Sequence, residues 1–131
     1  MTKFVVDAGT IIQLVAAGID VAPEHELLAP TLLRSETLSL LHEAVARGEI
    51  TAAVGLERHR AISRLPIRLL GDGVLRRRAW QVADQLGWAS TFKAEYLALT
   101  LLQADAFVTV DAELAGAVQG IVKTASIDAL R

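Results

Sequence analysis

The sequence predicts one α/β domain in which helices cover both faces of a mostly parallel central sheet, a three-layer α/β/α arrangement. Two short, largely apolar runs, Phe4-Val5-Val6 and Ala106-Phe107-Val108-Thr109-Val110, are β-prone and closed at once by an aspartate, as strands buried on both faces often are. Between them lie stretches whose apolar residues recur at helical spacing. The 131 residues are 53% hydrophobic but only 5% aromatic, so the core is built from Leu, Val, Ile and Ala, which suits helices laid on a parallel sheet. A chain of this length supports one core, and no long linker, low-complexity tract or internal repeat divides it, so residues 1–131 are read as a single domain.

The first strand spans Lys3 to Val6, and Thr10 to Ala17 then forms a helix that stops at Gly18. From Pro30 to Arg47 a second helix carries Leu33, Leu40, Leu41, Ala44 and Val45 on one stripe, with Arg34, Ser35, Ser39 and Glu43 off it. Pro30 fits its first turn and Gly48 its stop. Thr51 to Ala61 continues in helix, and Leu65 to Leu70 is a short strand or an extended link around Pro66. Gly71-Asp72-Gly73 is a turn, too short and wrongly placed for a nucleotide-binding glycine motif. A helix from Val74 to Leu86 turns Leu75, Ala79, Val82, Ala83 and Leu86 to the core and its arginines to water, and Gly87 ends it. Phe92 to Gln103 is helical, followed by the strand Ala106 to Val110, a short helix from Glu113 to Val118 and a last strand near Ile121 to Lys123.

Composition removes several classes of chemistry. The absence of Cys excludes disulfides, Cys-ligated zinc, iron–sulfur clusters and thiol nucleophiles, so any metal must be held by oxygen or His. His25, His42 and His59 lack the paired spacing of a His-based metal site and are read as surface residues. Asp7 interrupts the N-terminal apolar run before it could act as a secretory segment, and no run of about 18 apolar residues offers a membrane span, so a cytoplasmic protein is expected. The net charge of −2 hides an uneven distribution, because seven of the thirteen Lys and Arg residues are arginines between Arg58 and Arg78. Most of these arginines are read as a solvated face, although such a face also attracts a polyanion. Trp80 and Trp88 flank one helix and are read as core or dimer packing, with base stacking as the alternative.

In a parallel sheet every strand ends at the same edge, and ligands bind in the loops there. Asp7 and Asp111 each follow a strand, so they reach one edge from opposite ends of the sequence, although each also suits the N-cap of the helix that follows. Glu36 lies three residues after Leu33 and four before Leu40, on the apolar stripe, where a carboxylate without a partner is costly. Either it reaches out to water at the helix edge, or it faces the pocket of the two aspartates, where a cation offsets their mutual repulsion. Three carboxylates without Cys suit Mg²⁺ or Mn²⁺. Such an ion activates water and offsets charge on a phosphodiester, which makes phosphodiester hydrolysis the natural chemistry.

These segments resemble the PIN domains, in particular the VapC-type ribonuclease toxins of bacterial toxin–antitoxin pairs. The likeness lies in Phe4-Val5-Val6-Asp7-Ala8, in Leu32-Leu33-Arg34-Ser35-Glu36 after Pro30, in Val108-Thr109-Val110-Asp111, and more loosely in Leu65-Pro66-Ile67 and Glu95-Tyr96-Leu97-Ala98-Leu99. The resemblance implies a metal-dependent endoribonuclease whose Asp7, Glu36 and Asp111 bind Mg²⁺ or Mn²⁺, with Thr109 orienting ligands or water. It further implies an RNA substrate, a homodimer and inhibition by a VapB-like antitoxin. One position departs from the pattern: the third acid usual in the family just before Ala-x-Tyr is here Lys93, a cation that repels metal yet can contact an RNA phosphate. Glu95 is the candidate replacement ligand, although two positions along an ideal helix place it roughly 200° away. The alternative function is a PIN-like module that binds an antitoxin or RNA without turnover. A phosphatase using Asp7 as nucleophile ranks last, because the second Asp usual in that class would fall at Gly9.

Overall fold

The computed structural model describes all residues from Met1 to Arg131. In chain order the elements are β1 (Thr2–Val6), α1 (Ala8–Ala17), β2 (His25–Pro30), α2 (Leu32–Ala46), α3 (Ala52–Arg64), β3 (Ile67–Leu70), α4 (Gly73–Leu86), α5 (Phe92–Gln103), β4 (Ala106–Val108), α6 (Ala112–Ala117) and β5 (Thr124–Ala125), followed by a 3₁₀ turn over Ile127–Leu130. The five strands form one sheet in the order β3-β2-β1-β4-β5, and every pairing is parallel. Parallel neighbours need crossovers, which are nearly always right-handed. The chain moves one way from β1 to β3 and then jumps back to β4. Accordingly α1, α2 and α3 pack together as one layer, and α4 packs on α5, which lies against β1, β2 and β4.

The helix ends follow from local chemistry. Asp7, Thr51, Asp72 and Asp111 each accept a hydrogen bond from the backbone N–H three residues on, satisfying a donor that the first turn leaves free. Gly18 and Gly87 close α1 and α4 with φ of 65° and 69°, a left-handed conformation that a side chain would strain. Val5, Val6, Leu28, Phe107 and Val108 fill the sheet's interior and share one core with Ile11 and Leu14 of α1, Val82 of α4, and Leu97 and Leu99 of α5. No helix is long and apolar enough to cross a membrane.

Several local expectations are corrected. Strand β2 lies where the sequence carries little strand signal, since His25 and Glu26 open it, and Pro30 is its last residue rather than the first turn of α2. Pro30 is tolerated there because the next ladder bond is made by the Thr31 N–H, which donates to the Leu70 carbonyl at 3.2 Å. Strand β4 stops at Val108, so Thr109 and Val110 belong to the loop that follows. The final strand is Thr124–Ala125, and Ile121 and Val122 form the preceding turn. On α2 the buried row is Leu33, Thr37 and Leu41, a four-residue repeat, whereas Leu40 at the edge of that row is 38% exposed. Trp80 is 68% exposed on the wet side of α4, and only Trp88 packs against the core. His25 is not a surface residue: it is half-buried, its ring meets Phe4 edge-on at 5.1 Å, and its Nδ1 is buried without a partner.

Candidate active site

Strands β1 and β4 are neighbours, yet the chain leaves β1 towards β2 and leaves β4 towards β5. The two following loops therefore diverge and open a crevice at the carboxyl edge of the sheet, the usual place for a ligand in such folds. The register pairs Val6 with Val108, so Asp7 and Thr109 stand side by side, each one residue beyond its strand.

Hydrogen bonds fix Asp7 from both sides. The Thr109 hydroxyl donates to Asp7 Oδ2 at 2.6 Å, and the Thr10 backbone N–H donates to Oδ1 at 3.0 Å, where the Thr10 hydroxyl also makes contact. Each threonine then ties the loop after β4 to the same spot: Val110 N–H donates to Thr10 Oγ1 at 3.2 Å, and Asp111 N–H donates to Thr109 Oγ1 at 3.1 Å. Asp111 itself is exposed and accepts from the Leu114 N–H at 3.1 Å. Both aspartates thus cap their helices and also face the crevice.

Glu36 enters from the edge of α2. It is half-buried, and its Oε1 accepts from the Tyr96 hydroxyl at 2.6 Å. Tyr96 lies 4% exposed in α5. Burial first, and then its bond to Glu36, push the phenol's pKa well above the ordinary tyrosine value, so it remains a proton donor to the carboxylate. This bond offsets the cost of placing Glu36 near the apolar stripe.

Asp7, Glu36 and Asp111 line one cleft of about 290 Å³, with Tyr96, Phe107 and Lys93 also in its wall. Lys93 makes no ion pair; the three in the structure are Arg47 with Glu49, Arg68 with Glu26 and Arg131 with Asp128. Glu95 does not line the cleft. It is half-buried on α5, where burial first and Glu36 second raise its pKa, opposed by Arg76. Because the folded value lies above the unfolded one, Glu95 favours folding at low pH, and this advantage is lost as pH rises through the folded value. Glu95→Gln is therefore expected to raise Tm at pH 7 by about 1–3 °C, a small gain because water screens the site, and to leave Tm unchanged near pH 3. Thermal melts at the two pH values check this.

The donor set is entirely oxygen. Glu36 Oε2 and Asp111 Oδ2 accept no hydrogen bond from the protein, since the bonds to these residues end on Oε1 and Oδ1. No three carboxylates stand close enough to enclose an ion as the side chains are placed. The residues fit a hard divalent cation by ligand chemistry and by their shared cleft.

Thr10 and Tyr96 are the site residues that the sequence reading did not single out. Thr10 follows Asp7 at the spacing of a capping donor, and a phenol opening the buried run Tyr96–Thr100 requires an acceptor; both signals are present but weak.

No protein-family model matches the sequence, and no curated protein matches it. Solved structures do. The chain is similar to PAE2754 from Pyrobaculum aerophilum, with a TM-score of 0.77 and 21% identity over 98% of this chain and 92% of that one. It is also similar to VapBC2 from Rickettsia felis, solved with a DNA fragment from its promoter, with a TM-score of 0.65 and 9% identity over 95% and 98% of the two chains. A third likeness is to VapBC-1 from nontypeable Haemophilus influenzae, with a TM-score of 0.63 and 12% identity over 96% and 98%. Together with the all-parallel sheet and its two helical layers, these likenesses establish that the chain has the three-layer, PIN-like α/β/α fold predicted from its sequence.

Proposed function

We propose that the protein is a metal-dependent endoribonuclease acting as the toxin of a type II toxin–antitoxin pair, with Asp7, Glu36 and Asp111 holding Mg²⁺ or Mn²⁺. The observation that carries this is that three carboxylates, from three distant segments, line one cleft at the switch point of a parallel sheet. A bound divalent ion would offset charge developing on a phosphodiester and lower the pKa of water. The protein's own groups prepare for that role. Thr109 and Thr10 orient Asp7, Tyr96 holds Glu36, and Lys93 offers a cation to an RNA phosphate at the same cleft. Two of the similar folds come from VapBC assemblies, which supports a VapB-like antitoxin as partner. A homodimer is part of the same proposal.

The test is cleavage of single-stranded RNA by the purified protein with Mn²⁺ or Mg²⁺. Activity that vanishes with chelator and returns with metal supports the nuclease; RNA left intact under every metal overturns it.

A second function, an antitoxin- or RNA-binding module without turnover, draws on Lys93 in the cleft and on the open spacing of the acids. Metal titration combined with the cleavage assay separates the two, and Lys93→Asp tests whether the lysine opposes the ion. Unit charges about 8 Å apart in water interact by roughly 0.5 kcal/mol, so reversing one charge beside a divalent ion is worth about 2 kcal/mol, or roughly 30-fold in affinity before salt screening. The expected result is Mn²⁺ bound about 10-fold tighter by calorimetry in physiological salt. Unchanged or weaker Mn²⁺ binding would show that Lys93 does not oppose the ion.

A further inference from the structure

We propose that the pocket adjoining the acidic cleft is a nucleobase subsite for single-stranded RNA, in which Phe92 and Trp88 supply stacking surfaces and Lys93 anchors the phosphate. This rests on the endoribonuclease proposal above and assigns the place of the substrate's base. The pocket has a volume of about 600 Å³ and shares Glu36, Lys93, Asp111 and Leu114 with the cleft, so the two spaces are continuous. A phosphate in one therefore has its own nucleoside within reach of the other.

Phe92 opens α5 and is 59% exposed, and Trp88, just after the helix-ending Gly87, is half-buried against the core. Every base offers a π face to such rings, whereas bases within a duplex are already stacked, so the occupant is an unpaired nucleotide. Lys93 is the one cationic residue lining both spaces. A phosphate held there lies at their junction, where the lysine offsets the repulsion from Glu36 and Asp111. Glu113 also lines the pocket and can accept from a base amino group. Two aromatic rings, one cation and three carboxylates able to accept from a base amino group suit a nucleotide better than the apolar face of a second subunit.

The experiment measures binding apart from cleavage. In a Trp80→Phe, Asp7→Asn background with EDTA, Trp88 fluorescence is titrated with a single-stranded oligoribonucleotide, with the same strand carrying abasic sites, and with the protein alone at rising concentration. The expected result is quenching by the intact strand but not the abasic one, and a Kd raised roughly 5- to 150-fold by Phe92→Ala and restored by Phe92→Tyr. Equal binding by Phe92→Ala, equal quenching by the abasic strand, or a fluorescence change that tracks protein concentration alone would overturn the subsite. Because no metal or turnover is involved, absence of RNase activity would count against the nuclease proposal and leave this measurement standing.

Discussion

Asp7→Asn is expected to lower RNA cleavage by roughly 10²- to 10⁴-fold, since a bound metal contributes several kcal/mol of charge stabilisation and each 1.36 kcal/mol is tenfold in rate. The fold is expected to survive, for a reason visible in the hydrogen bonds. Asp7 caps α1 through Thr10 N–H, and Asn caps a helix about as well as Asp. The amide can still accept from Thr10 through its oxygen, and its NH₂ can donate to Thr109 Oγ1, because a hydroxyl both donates and accepts. What the substitution removes is the negative charge. Single-turnover cleavage, Mn²⁺ calorimetry and Tm measured together separate the possibilities. Loss of activity and metal affinity at nearly constant Tm places the ion at Asp7. Full activity in the variant would remove Asp7 from the chemistry and with it the proposed site.

The parts of this site that were legible in the sequence are those with a local signal. Asp7 and Asp111 could be placed at one edge because each closes a short apolar run, and parallel pairing then brings the runs together. Glu36 stood out as a carboxylate on an apolar stripe, which implied a partner without naming it. That partner, Tyr96, is 60 residues away on a different layer, and no periodicity links the two. Strand β2 was hidden for a related reason: its polar start and terminal proline resemble a loop, and its strand character comes from pairing with β1 and β3 on either side. Trp80 shows the converse error, an aromatic residue read as packing although, one position past Ala79, it is turned about 100° from the buried row of Leu75, Ala79, Val82 and Ala83. Side-chain type suggested burial there, and angular position decided against it.

Phe107→Ala is expected to cost about 3–5 kcal/mol of stability, the usual range for removing a buried phenylalanine. For a chain of this size that corresponds to a fall in Tm of roughly 10–25 °C. Phe107 is fully buried on β4, between β1 and β5, and it is the largest of the fully buried side chains. It also forms part of the cleft wall and meets the Tyr96 ring at 6.5 Å between centroids. Core packing and site geometry therefore share one side chain. Removing the ring leaves a void beside Tyr96, whose hydroxyl reaches Glu36 only while its own ring is held in place. The variant should consequently bind Mn²⁺ more weakly even at temperatures where it is fully folded, whereas Phe107→Leu, which retains much of the volume, should lose about 1.5 kcal/mol or less and keep the affinity. Urea titrations give the stability change from the shift in midpoint at constant slope, and calorimetry on the folded protein gives the affinity. If Phe107→Ala proved unstable but bound metal as tightly as the parent, Tyr96 would be held by its helix alone and the cleft would owe its shape to α5 rather than to the sheet beneath it.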